Sequence, residues 1–180
     1  MRITKVTTKT GDKGTTALGD GTKMSKSDLR ICCIGEIDEL NSFVGLVKTA
    51  TADNDLIQEL NMIQNNLLNL GGELSIPDNN IELLKKEAIS HLENNIQTLN
   101  KELPPLKEFI LPGGDELSAR LHIVRSVSRR TERKIVELVE KESATEIWIK
   151  YLNRLSDYFF ILARHHLVKN KIHENQWNKP

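Results

Sequence analysis

Arg125, Arg129 and Glu132 recur at intervals of four and three residues, and Arg130 and Arg133 flank them. On an α-helix that spacing puts the first three on one face. The stripe Leu117, Leu121, Val124, Ser128, Ile135 and Leu138 falls about 100° away on the same helix. One helix would then bury one side and carry an arginine ladder beside it. Guanidinium groups keep their charge and fork onto phosphate or carboxylate oxygens. The ladder therefore suits an oligophosphate ligand, and equally a solvated face paired with acidic neighbours.

A second candidate is the run Thr8-Lys9-Thr10-Gly11-Asp12-Lys13-Gly14-Thr15-Thr16. Glycines let backbone amides approach an anion, and Thr and Lys add donors. An acid in such a loop can hold a phosphate-bound magnesium ion through water. The run is neither a Walker loop nor a dinucleotide fingerprint, and an ordinary turn fits it equally well. Further along, Gly35-Glu36-Ile37-Asp38-Glu39-Leu40-Asn41-Ser42 places acids on an otherwise apolar helix. If buried they need partners, and Arg125 or Arg129 are the natural ones; an exposed acidic face is the alternative. Asn153, in Tyr151-Leu152-Asn153-Arg154-Leu155-Ser156-Asp157, offers an amide that can read a base or ribose edge or serve the fold. Phe109 to Gly114 is an apolar loop before the arginine helix, suited to covering a core or walling a ligand site. The five histidines form no metal-ligand spacing with Cys or carboxylates. No Ser-His-Asp or Cys-His arrangement can be argued either.

Helices must position these groups. Apolar residues at three- and four-residue steps predict a first helix over about Asp28 to Ala50, through Ile31, Ile34, Ile37, Leu40, Val44 and Val47. Asp53 or Asn54 caps a second, carrying Leu56, Leu60, Ile63, Leu67, Leu70 and Leu74. After a Pro77-Asp78-Asn79-Asn80 turn, a third holds Leu84, Ala88, Leu92, Ile96 and Leu99 in phase. Prolines break the stretch from Leu103 to Gly114. Asp115 caps the fourth helix, and Ser143 with Glu146 makes a capping box for the fifth, which carries Ile147, Tyr151, Leu155, Phe159 and Leu162. The only strand signal lies around Arg2 to Thr7. The fold class is all-α: a five-helix bundle, four-helix-bundle-like with ferritin-like packing, and a loop-rich N-terminal arm. Residues 1–26 form the arm, 27–168 the bundle and 169–180 a polar, frayed tail, all within one domain.

Composition limits the class of partner. Twenty-five Lys and Arg balance 25 Asp and Glu, and 180 residues are enough for one domain with its own core. A neutral total argues against nucleic-acid or anionic-membrane binding. No run of about 20 apolar residues could span a membrane. Met1 to Lys9 lacks the pattern of a secretory or transit peptide. The vicinal Cys32 and Cys33 suit neither a disulfide nor a zinc site, and fit a reduced, cytoplasmic setting.

Six blocks together carry a resemblance: Thr8 to Gly14, Ser25-Lys26, Gly35 to Ser42, Phe109 to Gly114, Leu121-His122 to Arg133, and Tyr151 to Arg164. In order and approximate spacing they resemble the signature blocks of the PduO-type ATP:cob(I)alamin adenosyltransferases. The resemblance spans about half the chain; the stretch from Thr51 to Leu103 and the tail add little to it.

The resemblance implies a five-helix bundle that assembles as a homotrimer, with each active site between two subunits. It implies transfer of the 5′-deoxyadenosyl group of ATP to the cobalt of cob(I)alamin, giving adenosylcobalamin and tripolyphosphate. It also implies Thr8, Lys9, Thr10, Gly11, Asp12, Gly14, Thr16, Ala17 and Lys26 as one half of the ATP site. Arg129, Arg130, Glu132, Arg133 and Asn153 would form the other half, from a neighbouring subunit. Arg125 resembles the arginine that pairs with Asp38 across that interface, and both would help bind cobalamin. Phe109 resembles the aromatic that packs under the corrin and excludes the lower axial ligand. Arg129, Arg125, Asp38 and Phe109 would carry the catalytic burden. Mg2+ would be held mainly through the ATP phosphates, with no dedicated side-chain cage. A flavin reductase and a cobalamin-dependent enzyme are the further partners implied. The rival readings are a non-catalytic ATP-binding helical module and a helical adaptor whose arginines bind acidic helices.

Overall fold

The computed structural model describes residues 7, 9–77, 81–142 and 144–179. Thr8, most of the Arg2 to Thr7 segment, the turn residues after Pro77 and Ser143 lie outside them. Seven elements follow in order: β1 (Thr15–Ala17), β2 (Lys23–Ser25), α1 (Leu29–Lys48), α2 (Asn54–Leu74), α3 (Lys86–Asn100), α4 (Glu116–Glu142) and α5 (Ile147–Lys169).

The expected stripes form most of the core, although Ile31 lies outside it and Ile34, Leu56, Ala88, Ile96 and Leu99 are only partly buried against it. Ile37, Leu40, Val44 and Val47 of α1 are buried, as are Leu60, Ile63, Leu67, Leu70 and Leu74 of α2. So are Leu121, Val124, Ile135 and Leu138 of α4, and Tyr151, Leu155 and Phe159 of α5. Cross-helix bonds give the directions. Arg30 at the start of α1 pairs with Glu142 at the end of α4, and Arg120 near the start of α4 donates to Leu46 near the end of α1. Asp115 and Glu132 reach His166 and Asn153, so α4 and α5 also run antiparallel. Glu93 and Glu102 meet Arg154 and His165 in the same order, so α3 runs parallel to α5. The result is an up-and-down, all-α five-helix bundle with a loop-rich arm, as the sequence predicts. No helix among the described residues is long and apolar enough to cross a membrane.

Caps explain the starts. Asp28 accepts from Arg30 N, Asp53 from Asp55 N and Leu56 N, and Asp115 from Ser118 N. Each satisfies donors that have no partner inside the helix. Two expectations shift. The third helix begins at Lys86, so buried Leu84 precedes it. The fifth begins at Ile147 with Glu146 itself at the N-cap and no side-chain cap bond, and Thr145 Oγ1 accepts from Ile147 N; Ser143, the other half of the expected capping box, lies outside the described residues.

Two larger corrections concern the ends of the chain. The arm holds a hairpin that periodicity did not reveal, because its strands are three residues each. Asp20 accepts from Thr22 N, and Leu18 N donates to Thr22 O at 2.8 Å, closing the turn. Leu18 is buried, and Gly19 N donates to Ser75 O at the end of α2, which docks the hairpin on the bundle. The tail is docked, not frayed. Leu111 N donates to Asn175 O and Trp177 N to Phe109 O, both at 2.7 Å, and Ile110 and Gln176 form an antiparallel bridge. Arg164 is 3% exposed, so its charge needs a carboxylate nearby; Glu174, brought back by the tail, accepts from its Nε at 2.8 Å.

Glu73 ties three segments together. Its buried carboxylate accepts from Leu83 N at 2.5 Å, from Leu84 N at 2.6 Å and from Trp148 Nε1. Removing it strands three donors, two of them buried. Glu73→Ala is expected to lower unfolding free energy by about 3 kcal/mol in urea titration, well beyond a surface substitution. A loss under about 0.5 kcal/mol would contradict this role.

Candidate active site

The arm cluster is built from overlapping turns. Asp12 N donates to Lys9 O at 3.4 Å, Gly14 N to Gly11 O at 3.1 Å, and Lys26 N to Gly14 O at 2.9 Å. These bonds bring Gly11, Asp12, Gly14 and Lys26 together. A β-carbon on Gly11 would lie 2.9 Å from Lys26 Nζ, so a side chain there would push the ammonium from its place over that backbone. Thr16 and Ala17 follow in β1, paired with Met24 and Lys23. Among the described residues, no group of three or more His, Cys, Asp or Glu side chains is arranged to hold a metal.

The second cluster lies on α4. Arg129 and Arg133 are exposed, and Arg133 Nη1 donates to Arg129 O at 3.0 Å, one turn away. Glu132 accepts from Asn153 Nδ2 at 3.1 Å, while Asn153 Oδ1 accepts from Arg154 at 2.8 Å. Two residues singled out separately in the sequence are therefore bonded, across α4 and α5. The amide is fixed in orientation by both bonds.

Arg130 differs from its neighbours. Its Nε donates to Glu36 at 2.9 Å and its Nη2 to Glu39. The sequence places the α1 acids, if buried, against Arg125 or Arg129, with an exposed acidic face as the alternative; Glu36 and Glu39 instead meet Arg130, where Thr131 Oγ1 on Glu36 O and Cys33 Sγ on Lys134 O set the α1–α4 register, and Asp38 stays on the exposed face. Arg125 is half-buried, and its Nε is enclosed without a hydrogen-bond partner among the described residues. Burial, then the charge of Arg129, lowers its pKa. Asp38 is exposed and makes no ion pair among the described residues. Within one chain the pair is not made.

Two residues of this region escaped the sequence reading. His122 is buried; that burial, then the charge of neighbouring Arg125, lowers its pKa to about 4 and keeps the ring neutral near pH 7. It lines an open groove of about 520 Å3 together with Pro112, Ile123, Val127, Arg130 and Arg133. Trp177 stands edge-on to Phe109, ring centroids 6.3 Å apart at 62°, while Phe109 itself is 74% exposed. A large ring in an otherwise polar tail was the signal for Trp177; a histidine at a stripe-adjacent position was a weak one for His122. A larger cleft, about 970 Å3, opens elsewhere, by Arg30, Glu73 and Trp148 at the α2–α3 end. It contains none of the arginine-ladder residues.

The chain thus carries an arm with a glycine-lysine turn and, on an all-α scaffold, a helix bearing exposed arginines beside a fixed amide. Comparison with known proteins gives the family. The cobalamin adenosyltransferase family profile matches residues 6–166, and the chain belongs to that family. It is 49% identical over 164 residues to a cobalamin adenosyltransferase of Cupriavidus metallidurans, covering 91% of this chain and 88% of that one. It is 46% identical over 165 residues to the corrinoid adenosyltransferase of Bacillus subtilis, covering 89% and 85%. Among solved structures it is similar to a variant PduO-type ATP:corrinoid adenosyltransferase from Lactobacillus reuteri complexed with cobalamin and ATP. That match has a TM-score of 0.91 and 35% identity, and covers 97% of this chain and 100% of that one.

Proposed function

We propose that this protein is an ATP:corrinoid adenosyltransferase. It transfers the 5′-deoxyadenosyl group of ATP to cob(I)alamin and releases tripolyphosphate. The observation that carries the reading is the α4 ridge, where Arg129 and Arg133 stand exposed beside the Glu132–Asn153 bond, in a chain of this family.

Cob(I)alamin is itself a strong nucleophile, so the protein need supply none. The cobalt lone pair attacks C5′, the Co–C bond forms, and the C5′–O5′ bond breaks with its electrons leaving on the tripolyphosphate. Cobalt goes formally from Co(I) to Co(III). The chain's task is placement and field. Lys9, Thr10, Gly11, Asp12, Gly14, Thr16, Ala17 and Lys26, with Thr8, hold one side of ATP. Arg129 and Arg133 offset charge developing on the leaving phosphates. Arg130, gripped by Glu36 and Glu39, keeps α4 in register beneath them. The Glu132–Asn153 pair meets the nucleoside. Mg2+, carried on the phosphates with Asp12 reaching it through water, would supply further charge neutralisation.

The unpaired geometry supports assembly through subunit interfaces, with the homotrimer as the form proposed. Arg125 has an enclosed, unbonded Nε and Asp38 is exposed without an ion pair among the described residues. Each finds its mate on a neighbouring subunit, which also joins the arm of one subunit to the α4 ridge of the next. Free Cys32 and Cys33 suit a reduced cytoplasmic setting, where a flavin reductase would supply cob(I)alamin and a cobalamin-dependent enzyme take the product.

The test is a visible spectrum of the protein with ATP, reductant and cobalamin. Conversion to the adenosylated spectrum, with tripolyphosphate released, is expected. An unchanged spectrum with ATP bound would mean a non-catalytic ATP-binding module. A sedimentation mass of one chain at working concentration would contradict the shared site.

A further inference from the structure

We propose that Trp177, delivered by the docked tail, is a positioning residue for Phe109. The inference rests on the reading of Phe109 as the aromatic that displaces the lower axial ligand of the corrinoid.

Phe109 is poorly supported by its own loop. The segment from Leu103 to Asp115 is broken by three prolines and contributes no helix or named strand. Its far end is anchored: Asp115 bonds His166 at 2.6 Å, and Gly114, at φ +105, presses on Leu167 so closely that a β-carbon would lie 2.7 Å from Cδ2. Its near end is held where Arg164 Nη2 donates to Pro104 O at 3.2 Å. Between those anchors, the tail is the support.

The tail grips the loop at successive points. Its backbone bonds clasp Leu111 on one side of Ile110 and Phe109 on the other, both at 2.7 Å. Lys179 Nζ bonds Glu108 at 3.0 Å and lies 5.9 Å from the Trp177 ring centre. Arg164 serves both partners, donating to Pro104 O in the loop and to Glu174 in the tail. Loop and tail are one unit built on α5. Within it, Trp177 is the side chain placed against the Phe109 ring, in the edge-on arrangement aromatic pairs favour.

An exposed phenylalanine otherwise samples its rotamers freely. Excluding an axial ligand requires the ring in one place, and ordering it on binding has an entropic cost. Trp177 removes part of that cost in advance. It acts through Phe109 and need not touch the corrin.

The experiment compares Trp177→Ala, Trp177→Phe and Phe109→Ala. In the ligand-free protein, the Leu111 amide of Trp177→Ala is expected to exchange hydrogen about tenfold faster than in wild type. With ATP and cob(II)alamin, the electron paramagnetic resonance signal of the four-coordinate ion should fall about fivefold in Trp177→Ala and recover in Trp177→Phe. Turnover started from cob(II)alamin should fall with it, while turnover started from chemically generated cob(I)alamin stays within about twofold. Unchanged exchange and signal in Trp177→Ala, with the signal lost in Phe109→Ala, would overturn the positioning role and leave the Phe109 reading standing. Equal losses from both starting states would overturn it as well. A full four-coordinate signal in Phe109→Ala would overturn both.

Discussion

Replacing Arg129 with alanine is expected to lower kcat by about 10²- to 10³-fold, the usual cost of removing a donor aimed at developing negative charge. The leaving group is a tripolyphosphate, and its charge grows as the C5′–O5′ bond breaks. A fixed guanidinium offsets that charge without reorganising, whereas water must reorient. The substitution should leave the bundle intact. Arg129 is exposed, and its backbone oxygen accepts from Arg133. An exposed charge contributes within about 0.5 kcal/mol to stability. Steady-state turnover with ATP and cob(I)alamin, beside a thermal melt, separates the two effects. Arg129→Lys should recover only part of the rate, because an ammonium lacks the planar fork that meets two phosphate oxygens. A folded Arg129→Ala protein with near wild-type kcat would remove the phosphate role.

Phe109→Ala is expected to divide the reaction by its starting point. Begun from cob(II)alamin, turnover should fall by roughly 100-fold, about 2.7 kcal/mol of barrier. Begun from chemically generated cob(I)alamin, it should fall by no more than about threefold. The asymmetry follows from coordination. Cob(II)alamin with a lower ligand is hard to reduce, and an apolar ring in that ligand's place favours the four-coordinate, more easily reduced ion. Cob(I)alamin has passed that step already. With most of the Phe109 ring in solvent, its truncation leaves no core cavity and the melt should barely move. Equal losses from both starting states would count against axial exclusion.

The helices were legible because burial imposes a period. Leu60, Ile63, Leu67 and Leu70 repeat at three- and four-residue steps, and all four are buried. The arginine ladder was legible for the same reason, since positions 125, 129 and 132 share a helix face wherever that helix packs. Features fixed by single long-range bonds were not. Nothing local distinguishes Arg130, held by Glu36 and Glu39, from exposed Arg129 beside it; that difference arises from the α1–α4 register. The Glu132–Asn153 bond joins residues 21 apart; each stood out on its own helix, but nothing local paired them. The hairpin at Thr15–Ala17 and Lys23–Ser25 was too short for period-two alternation to register. The tail read as frayed because its composition is polar, yet its order comes from a buried arginine and a neighbouring loop, neither visible from residues 169–180 alone.

The docked tail has a genetic consequence. A premature stop just after Lys169 would spare all five helices and the whole arginine ladder. The truncated product would still lack Glu174, leaving Arg164 buried without its carboxylate, and Trp177, leaving the Phe109 ring without its aromatic neighbour. Contacts such as Glu108 with Lys179 span 71 residues, so closing them costs more chain entropy than closing a local helix turn. Residues 174–179 thus help specify a loop encoded far upstream, and a nonsense change just after Lys169 is expected to impair corrinoid activation in a protein that keeps its five helices.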